Sequence, residues 1–387
     1  MPAIVRTPGG APTSSVAPET SGSPAPIENV KSPVKKSESS RSSRSPQRSG
    51  RRGIVWVIVL SVMLVASAII TVGIGPVAIS PDVVTRVIGF HAFGVGEHTP
   101  GSDDNIVWLI RVPRVILGIL VGAALAMTGV AVQSLVRNPL ADPYLLGISS
   151  GASTGAAASI LFGFGAGAGA LALTGSAFLG AAAAIVLVFS IARLGGRLLP
   201  TRLVFAGIAV SFALAALTNF LVFASDSRDG TRAVLFWMLG SLGQARWQSL
   251  PIALAGIAIA AFFLMMWSRK LDAIAIGDDT ARALGTNPTR FRALAALIVS
   301  VAIAAAVSVS GAIGFVGLVV PHLARRLVGS THRVSLPVAG LLGGILLIWA
   351  DALARTAFAP RELPLGVLTA LIGTPLLIAL VRRLNAR

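Results

Sequence analysis

The sequence predicts an all-α, polytopic membrane protein with about ten transmembrane helices. Three observations lead there. Of 387 residues, 54% are hydrophobic and only 12% are charged, whereas a soluble domain carries about a quarter of charged residues. The mean hydropathy is +0.82. Apolar runs of about 20 residues recur, each long enough to cross a hydrocarbon core of about 30 Å as a helix. The runs are continuous rather than alternating, which excludes a membrane β-barrel. The chain has no cysteine, so disulfides, thiol catalysis and cysteine-ligated clusters are excluded.

Residues 1–52 carry nine Lys or Arg and three Glu in a Ser-, Pro- and Gly-rich background without aromatics. Such a segment buries too little apolar area to offset its chain entropy, so a disordered basic tail is expected. It abuts the first apolar run. That placement suits a cytoplasmic tail drawn to anionic membrane lipid, which helps fix topology, better than a nucleic-acid-binding arm. Residues 53–387 form the transmembrane domain, with spans at about 54–79, 112–135, 144–163, 169–192, 202–224, 249–267, 292–310, 313–328, 334–354 and 365–381. The first run is too long and too far from Met1 for a signal peptide. With the N-terminus inside, 24 of the 32 Lys and Arg fall on the inner side and eight on the outer. This asymmetry implies an even number of spans and two cytoplasmic termini.

The connections carry local signals in chain order. The outer loop 80–111 opens with PDVV and is expected to hold a short helix, with His91 and His98 as solvated loop residues. After the second span, Pro139 and Pro143 of NPLADP end one helix and start the next, at a depth where freed backbone reaches water. Gly147, Gly151 and Gly155 then recur one turn apart, a spacing that lets helices approach closely in lipid. In the inner loop 268–291, Asp278 or Asp279 is expected to N-cap a short helix that Gly285 closes. Asn287 and Pro288 should start a second short helix. The eighth span is short enough to be partly re-entrant. Asp351 is the only acid within a span and lies four residues before Arg355, so the two should pair near the outer end.

Much chemistry is absent. There is no GxxxxGK[ST] loop, no HExxH and no GxSxG elbow, so no nucleotide binding by a P-loop and none of those catalytic sites is expected. No paired carboxylates, metal-ligand cluster or cofactor site is read. His322, next to Pro321, reads as a packed structural residue. No chain of buried ionisable groups is seen, which argues against a proton-driven carrier.

RVPR (111–114), GAALAMTGVAVQSLVRNPLADPYLLGISSGA (122–152), WMLGSL (237–242), ARALG (281–285), SGAIGFVGLVVPHLARRLVG (310–329), ADALAR (350–355) and RELPLGVLTALIGTP (361–375) occur in that order. Together they resemble the FecCD-type permeases, the membrane subunits of binding-protein-dependent ABC importers for ferric siderophores, haem and vitamin B12. The likeness covers about 54–387. It implies the type II ABC importer architecture in a bacterial cytoplasmic (inner) membrane. The implied partners are a second permease chain, identical or sister, two cytosolic ABC ATPase subunits and an extracytoplasmic substrate-binding protein. It also implies that Ala281, Leu284 and Gly285, with Asp278 and Asp279, couple to the ATPase. Outward-facing Arg111, Arg114 and Arg355 would receive glutamates of the binding protein. Asn138 and Leu140, with Pro200 and Thr201, would form a cytoplasmic gate, although Pro200 departs from the small hydroxyl residues usual there. The basic tail is also outside the family pattern. The expected cargo is a ferric siderophore, with haem or vitamin B12 as the rival and an ATP-independent secondary carrier as the other class.

Overall fold

A computed structural model describes residues 46–96, 101–193 and 199–385. Fourteen helices account for these residues: α1 Pro46–Gly73, α2 Pro81–Phe93, α3 Ser102–Val136, α4 Ile148–Phe162, α5 Ala172–Arg193, α6 Pro200–Phe223, α7 Arg228–Met238, α8 Leu250–Met266, α9 Ser268–Ile276, α10 Asp278–Ala283, α11 Pro288–Ser310, α12 Val316–Val328, α13 His332–Thr356 and α14 Leu365–Asn385. No strand occurs among the described residues. Each of the ten expected spans contains a helix. Seven helices (α1, α3, α5, α6, α8, α11 and α13) are long and apolar enough to cross a bilayer. At 1.5 Å per residue, the 13 residues of α12 and 15 of α4 fall short of about 30 Å, and the apolar part of α14, Leu365–Ala379, is also short.

Burial ranks the helices. Of the most apolar 18 residues of α3, 78% are buried, against 17% in α1, so α3 is the central pillar and α1 lies at the periphery. Glycine makes the pillar's contacts. A Cβ at Gly122 of α3 would lie 2.2 Å from the Gly343 carbonyl oxygen of α13, and one at Gly129 would lie 2.0 Å from that of Gly317 in α12. The Gly151–Gly155 edge of α4 rests on α5: a Cβ at either position would meet the Gly180 or Ser176 carbonyl oxygen at 2.4 or 2.0 Å. Gly147 instead turns the chain, at φ +73, into α4.

Several boundaries differ from expectation. Residues 1–45 of the basic tail lie outside the described residues, whereas Pro46–Arg52 form the first turns of α1 rather than tail. The first span ends at Gly73. The third begins at Ile148, because Pro143–Leu146 is a separate 3-10 turn. The outer loop does hold a helix, α2, but α3 starts ten residues earlier than expected. It runs through a π-helical stretch, Ile106–Arg111, immediately before Pro113. A widened turn there accommodates the backbone that a proline would otherwise crowd. In the inner loop, Gly285 closes α10 at φ +75. The Asn287 side chain accepts from Arg290 N–H at 3.1 Å. The helix it starts is the long α11, not a second short one; the other short helix, α9, comes before α10. The proposed cap at Asp278 or Asp279 is corrected: Gly277 holds the cap position in extended backbone, and the two acids are the first residues of α10.

Candidate functional site

Helix α3 carries a polar cluster at each end. At the Arg137 end, α3 stops with Arg137 itself in the left-handed region, φ 56. The chain then turns through Asn138, whose Oδ1 accepts the Leu140 N–H at 2.9 Å, and Asp142, whose Oδ1 accepts Tyr144 N–H at 2.8 Å. Asp278, at the head of α10, gathers two arginines. Arg137 donates to its Oδ1 at 2.9 Å, and Arg292 of α11 donates to Oδ1 and Oδ2 at 2.5 and 3.0 Å. Arg292 also donates from Nε to the Leu135 carbonyl. The Arg292 hydrogen bonds foremost hold the Asp278 carboxyl below its ordinary range; burial opposes them, and the charges of Arg292, Arg137 and Arg282 add to the lowering. A second polar chain joins the same parts. Asp272 of α9 meets Nδ1 of the buried His332 at 2.6 Å, and Nε2 of His332 meets Ser134 Oγ of α3 at 2.7 Å.

The gate candidates Asn138 and Leu140 are exposed in this turn. Pro200, first residue of α6, shares a small apolar crevice with Leu135 and Val136 of α3 and with Arg292; Thr201 beside it is exposed. Ala281 is buried and Leu284 is 68% exposed.

At the Arg114 end the geometry corrects one expectation. Arg111, Arg114 and Arg355 do not face outward: each is 5% exposed or less. Arg114 donates to both Asp351 oxygens at about 3.0 Å and to both Glu362 oxygens at 2.9 Å. Arg355 pairs with Asp351 at 3.1 Å, the expected i,i+4 contact, and donates to the Thr71 carbonyl. Arg111 donates to the carbonyls of Val72, Gly73 and Val77. The RVPR and ADALAR arginines therefore tie α1, α3, α13 and the 357–364 loop together. A partner's carboxylate would reach Arg114 only by displacing Glu362. Burial pushes the Glu362 carboxyl up, but the hydrogen bonds and charge of Arg114 outweigh it and the net shift is downward. Among the described residues, the exposed arginines of this end are Arg86, which pairs with Asp82, and Arg228, Arg232, Arg246 and Arg361. His91 is not a solvated loop residue either. It contacts Asp104 at 3.0 Å and stacks on Trp108 at 4.7 Å; His98 lies outside the described residues. His322 is packed as expected, but its buried Nδ1 has no hydrogen-bond partner among the described residues.

Two cavities open beside this network, of about 760 and 890 Å³. They share Leu173, Trp237, Gln244 and Val309; Arg361 and Glu362 line one, and Arg246 lines the other. Aromatic and amide groups with two exposed guanidiniums suit a bulky solute better than a bare ion, and the lining holds no ligand set for a metal.

A bundle of apolar helices with two large cavities at one end and a pair of short helices at the other, the second of them largely exposed, defines a multi-pass membrane transport protein. Residues 60–383 match the model of the FecCD transport family, and the chain belongs to that family. It is 43% identical over 282 residues to the hemin transport system permease protein HmuU of Yersinia pestis, covering 72% of this chain and 83% of the relative. To the cobalamin import system permease protein BtuC of Halobacterium salinarum it is 40% identical over 295 residues, covering 76% and 77%. To the Fe(3+)-citrate import system permease protein YfmD of Bacillus subtilis it is 38% identical over 288 residues, covering 73% and 83%. Among solved structures it resembles an inward-facing metal-chelate type ABC transporter, with TM-score 0.73 and 31% identity over 84% of this chain and 98% of the other. The chain is thus a permease subunit of an ABC importer in the cell membrane, a transport component whose ATP hydrolysis lies in separate subunits.

Proposed function

We propose that this permease moves a ferric siderophore into the cytoplasm, powered by two cytosolic ATPase subunits and fed by an extracytoplasmic binding protein. The cavity pair carries this reading. Its volume suits a metal chelate, and Arg246 and Arg361 on its lining favour an anionic one. Iron passes still chelated, since among the described residues no group of three or more His, Asp or Glu is placed to hold a metal. The Arg137 end is cytoplasmic, in keeping with the charge asymmetry of the sequence. There α9 and α10 receive the ATPase stroke, with Leu284 as an exposed apolar contact, and the Asn138–Leu140 turn with Pro200 and Thr201 forms the gate. Binding-protein carboxylates meet the exposed Arg228 and Arg232, which line neither cavity. A second permease chain packs against exposed apolar faces such as Phe205, Phe212 and Phe220 of α6. The rival cargoes are haem and a corrinoid, named for two of the relatives. Uptake of labelled ferric siderophore, haem and cobalamin in a deletion strain complemented with this chain decides among them; loss of haem uptake alone in the deletion strain overturns the siderophore reading.

The coupling role makes a further prediction. At Gly285 the left-handed φ of +75, not crowding, excludes other residues, since a Cβ there meets nothing within 4 Å. Gly285→Ala is expected to cost about 1–2 kcal/mol locally, and the β-branched Gly285→Val more. Gly285→Val should insert normally yet lose ATP-driven uptake in proteoliposomes. Undiminished uptake would remove Gly285 from the coupling unit.

A further inference from the structure

Helix α10 is held by very little. It buries one side chain, Ala281, and its Asp279–Arg282 pair is internal and exposed. It joins the well-buried α9, whose Leu271 and Ile274 are fully covered, through Gly277, where a Cβ would meet nothing within 4 Å. Among the described residues, every side-chain hydrogen bond from α10 to another element runs through Asp278. One of the two partners is Arg137, the cap residue of α3 directly before the Asn138–Leu140 turn.

We infer that the Asp278–Arg137 ion pair is the link that carries movement of α10 to the turn after α3, with Arg137 as the positioning residue of that turn. This rests on the coupling and gate roles proposed above and adds the connection between them. The geometry gives the link little slack. Arg137 is the αL cap of α3, and its N–H together with that of Asn138 closes the helix onto Gln133 and Ser134, so side chain and turn move as one. On the other side, Arg292 grips both oxygens of Asp278 and also the Leu135 carbonyl, which keeps the carboxylate facing α3. The Asp272–His332–Ser134 chain pins α9, the base on which α10 pivots, to the last turn of α3. A shift of α10 about Gly277 therefore pulls on Arg137 rather than being absorbed by a loose α9.

Arg137 is 39% exposed at its side chain, so Arg137→Gln should fold, and it cuts only the bond to the turn while Arg292 still holds Asp278. Because the chain has no native cysteine, spin labels at Arg282→Cys, Leu140→Cys and Leu353→Cys report α10, the turn and the far end of the bundle. Distances are measured in the full transporter, reconstituted with its ATPase subunits, without nucleotide and trapped with ATP and vanadate. In the parent chain both α10 and the turn shift on trapping. In Arg137→Gln, α10 is expected to shift while the shift of the turn is lost and the 282–140 distance distribution broadens. Arg137→Lys, which keeps the charge, restores the turn's shift. Asp278→Asn repeats the loss by removing the other partner. A turn that still shifts fully in both Arg137→Gln and Asp278→Asn overturns the link while leaving the coupling role intact. An α10 that does not shift in the parent chain overturns both.

Discussion

Asp351→Ala is expected to be among the most damaging single substitutions in this chain, costing about 3–5 kcal/mol. Asp351 is 1% exposed and sits between two arginines that are themselves 5% and 3% exposed. Its removal leaves Arg114 with Glu362 alone and Arg355 with only backbone carbonyls. An arginine without a counter-charge in a water-poor bundle has no cheap response: its pKa is too high for it to neutralise. The wild-type pairs do not by that argument supply 3–5 kcal/mol of net stability, because forming them costs desolvation of every member. A comparison separates the two statements. Asp351→Leu combined with Arg114→Met and Arg355→Met removes the charges together and frees Glu362, whose side chain is already 41% exposed. That triple variant should lie far closer to wild type than Asp351→Ala does, by thermal unfolding of the purified chain in detergent. If Asp351→Ala unfolds within about 1 kcal/mol of wild type, the cluster is wetter than the structure has it.

That cluster also marks where the sequence stops being legible. The Asp351–Arg355 contact could be read, because four residues on one helix set it without reference to anything else. The Arg114–Asp351 contact spans 237 positions, and no local rule supplies it. Arginines at the flank of an apolar run look like surface groups, since that is where a helix of ordinary length would end. Here α3 continues ten residues past the flank through its π-helical stretch, and this carries Arg111 and Arg114 inside. The same division holds at the other end. The Asn287 cap, Pro288 at the helix start and the Gly285 stop were written in neighbouring residues. Asp278 was visible as an acid in the right loop, but a local reading made it a cap. Its actual partners come from α3 and α11, and Arg292 outbids the backbone because a charge-assisted bidentate contact is stronger than a neutral one. His332 offered no signal at all, since its partners Asp272 and Ser134 lie 60 and 198 positions away.

Glycine spacing, by contrast, is a sequence signal whose consequence is large, and Gly122→Ala tests it. Without a hydrophobic effect between helices in lipid, association depends on close van der Waals contact, and small residues permit it. The α3–α13 crossing takes this to its limit. A Cβ at Gly122 would sit 2.2 Å from the Gly343 oxygen and 2.6 Å from its carbon, and a Cβ at Gly343 would sit 2.2 Å from the Gly122 oxygen. Both obstacles are backbone, which has no rotamer to change, so one methyl must part the two helices. Overpacking of this kind costs about 1–3 kcal/mol where side chains can yield, and Gly122→Ala is expected at or above the top of that range. The parting would also stretch the Arg114–Asp351 contact, which joins the same two helices eight residues along each. Gly175→Ala is the control: it lies in α5 with nothing within 4 Å of its Cβ, so helix propensity alone should make it neutral or stabilising by up to about 1 kcal/mol. Unfolding midpoints that fall sharply for Gly122→Ala and hold for Gly175→Ala would place the energy in the crossing; equal midpoints would mean that the helices part at little cost and that α3 is not the rigid pillar its burial implies.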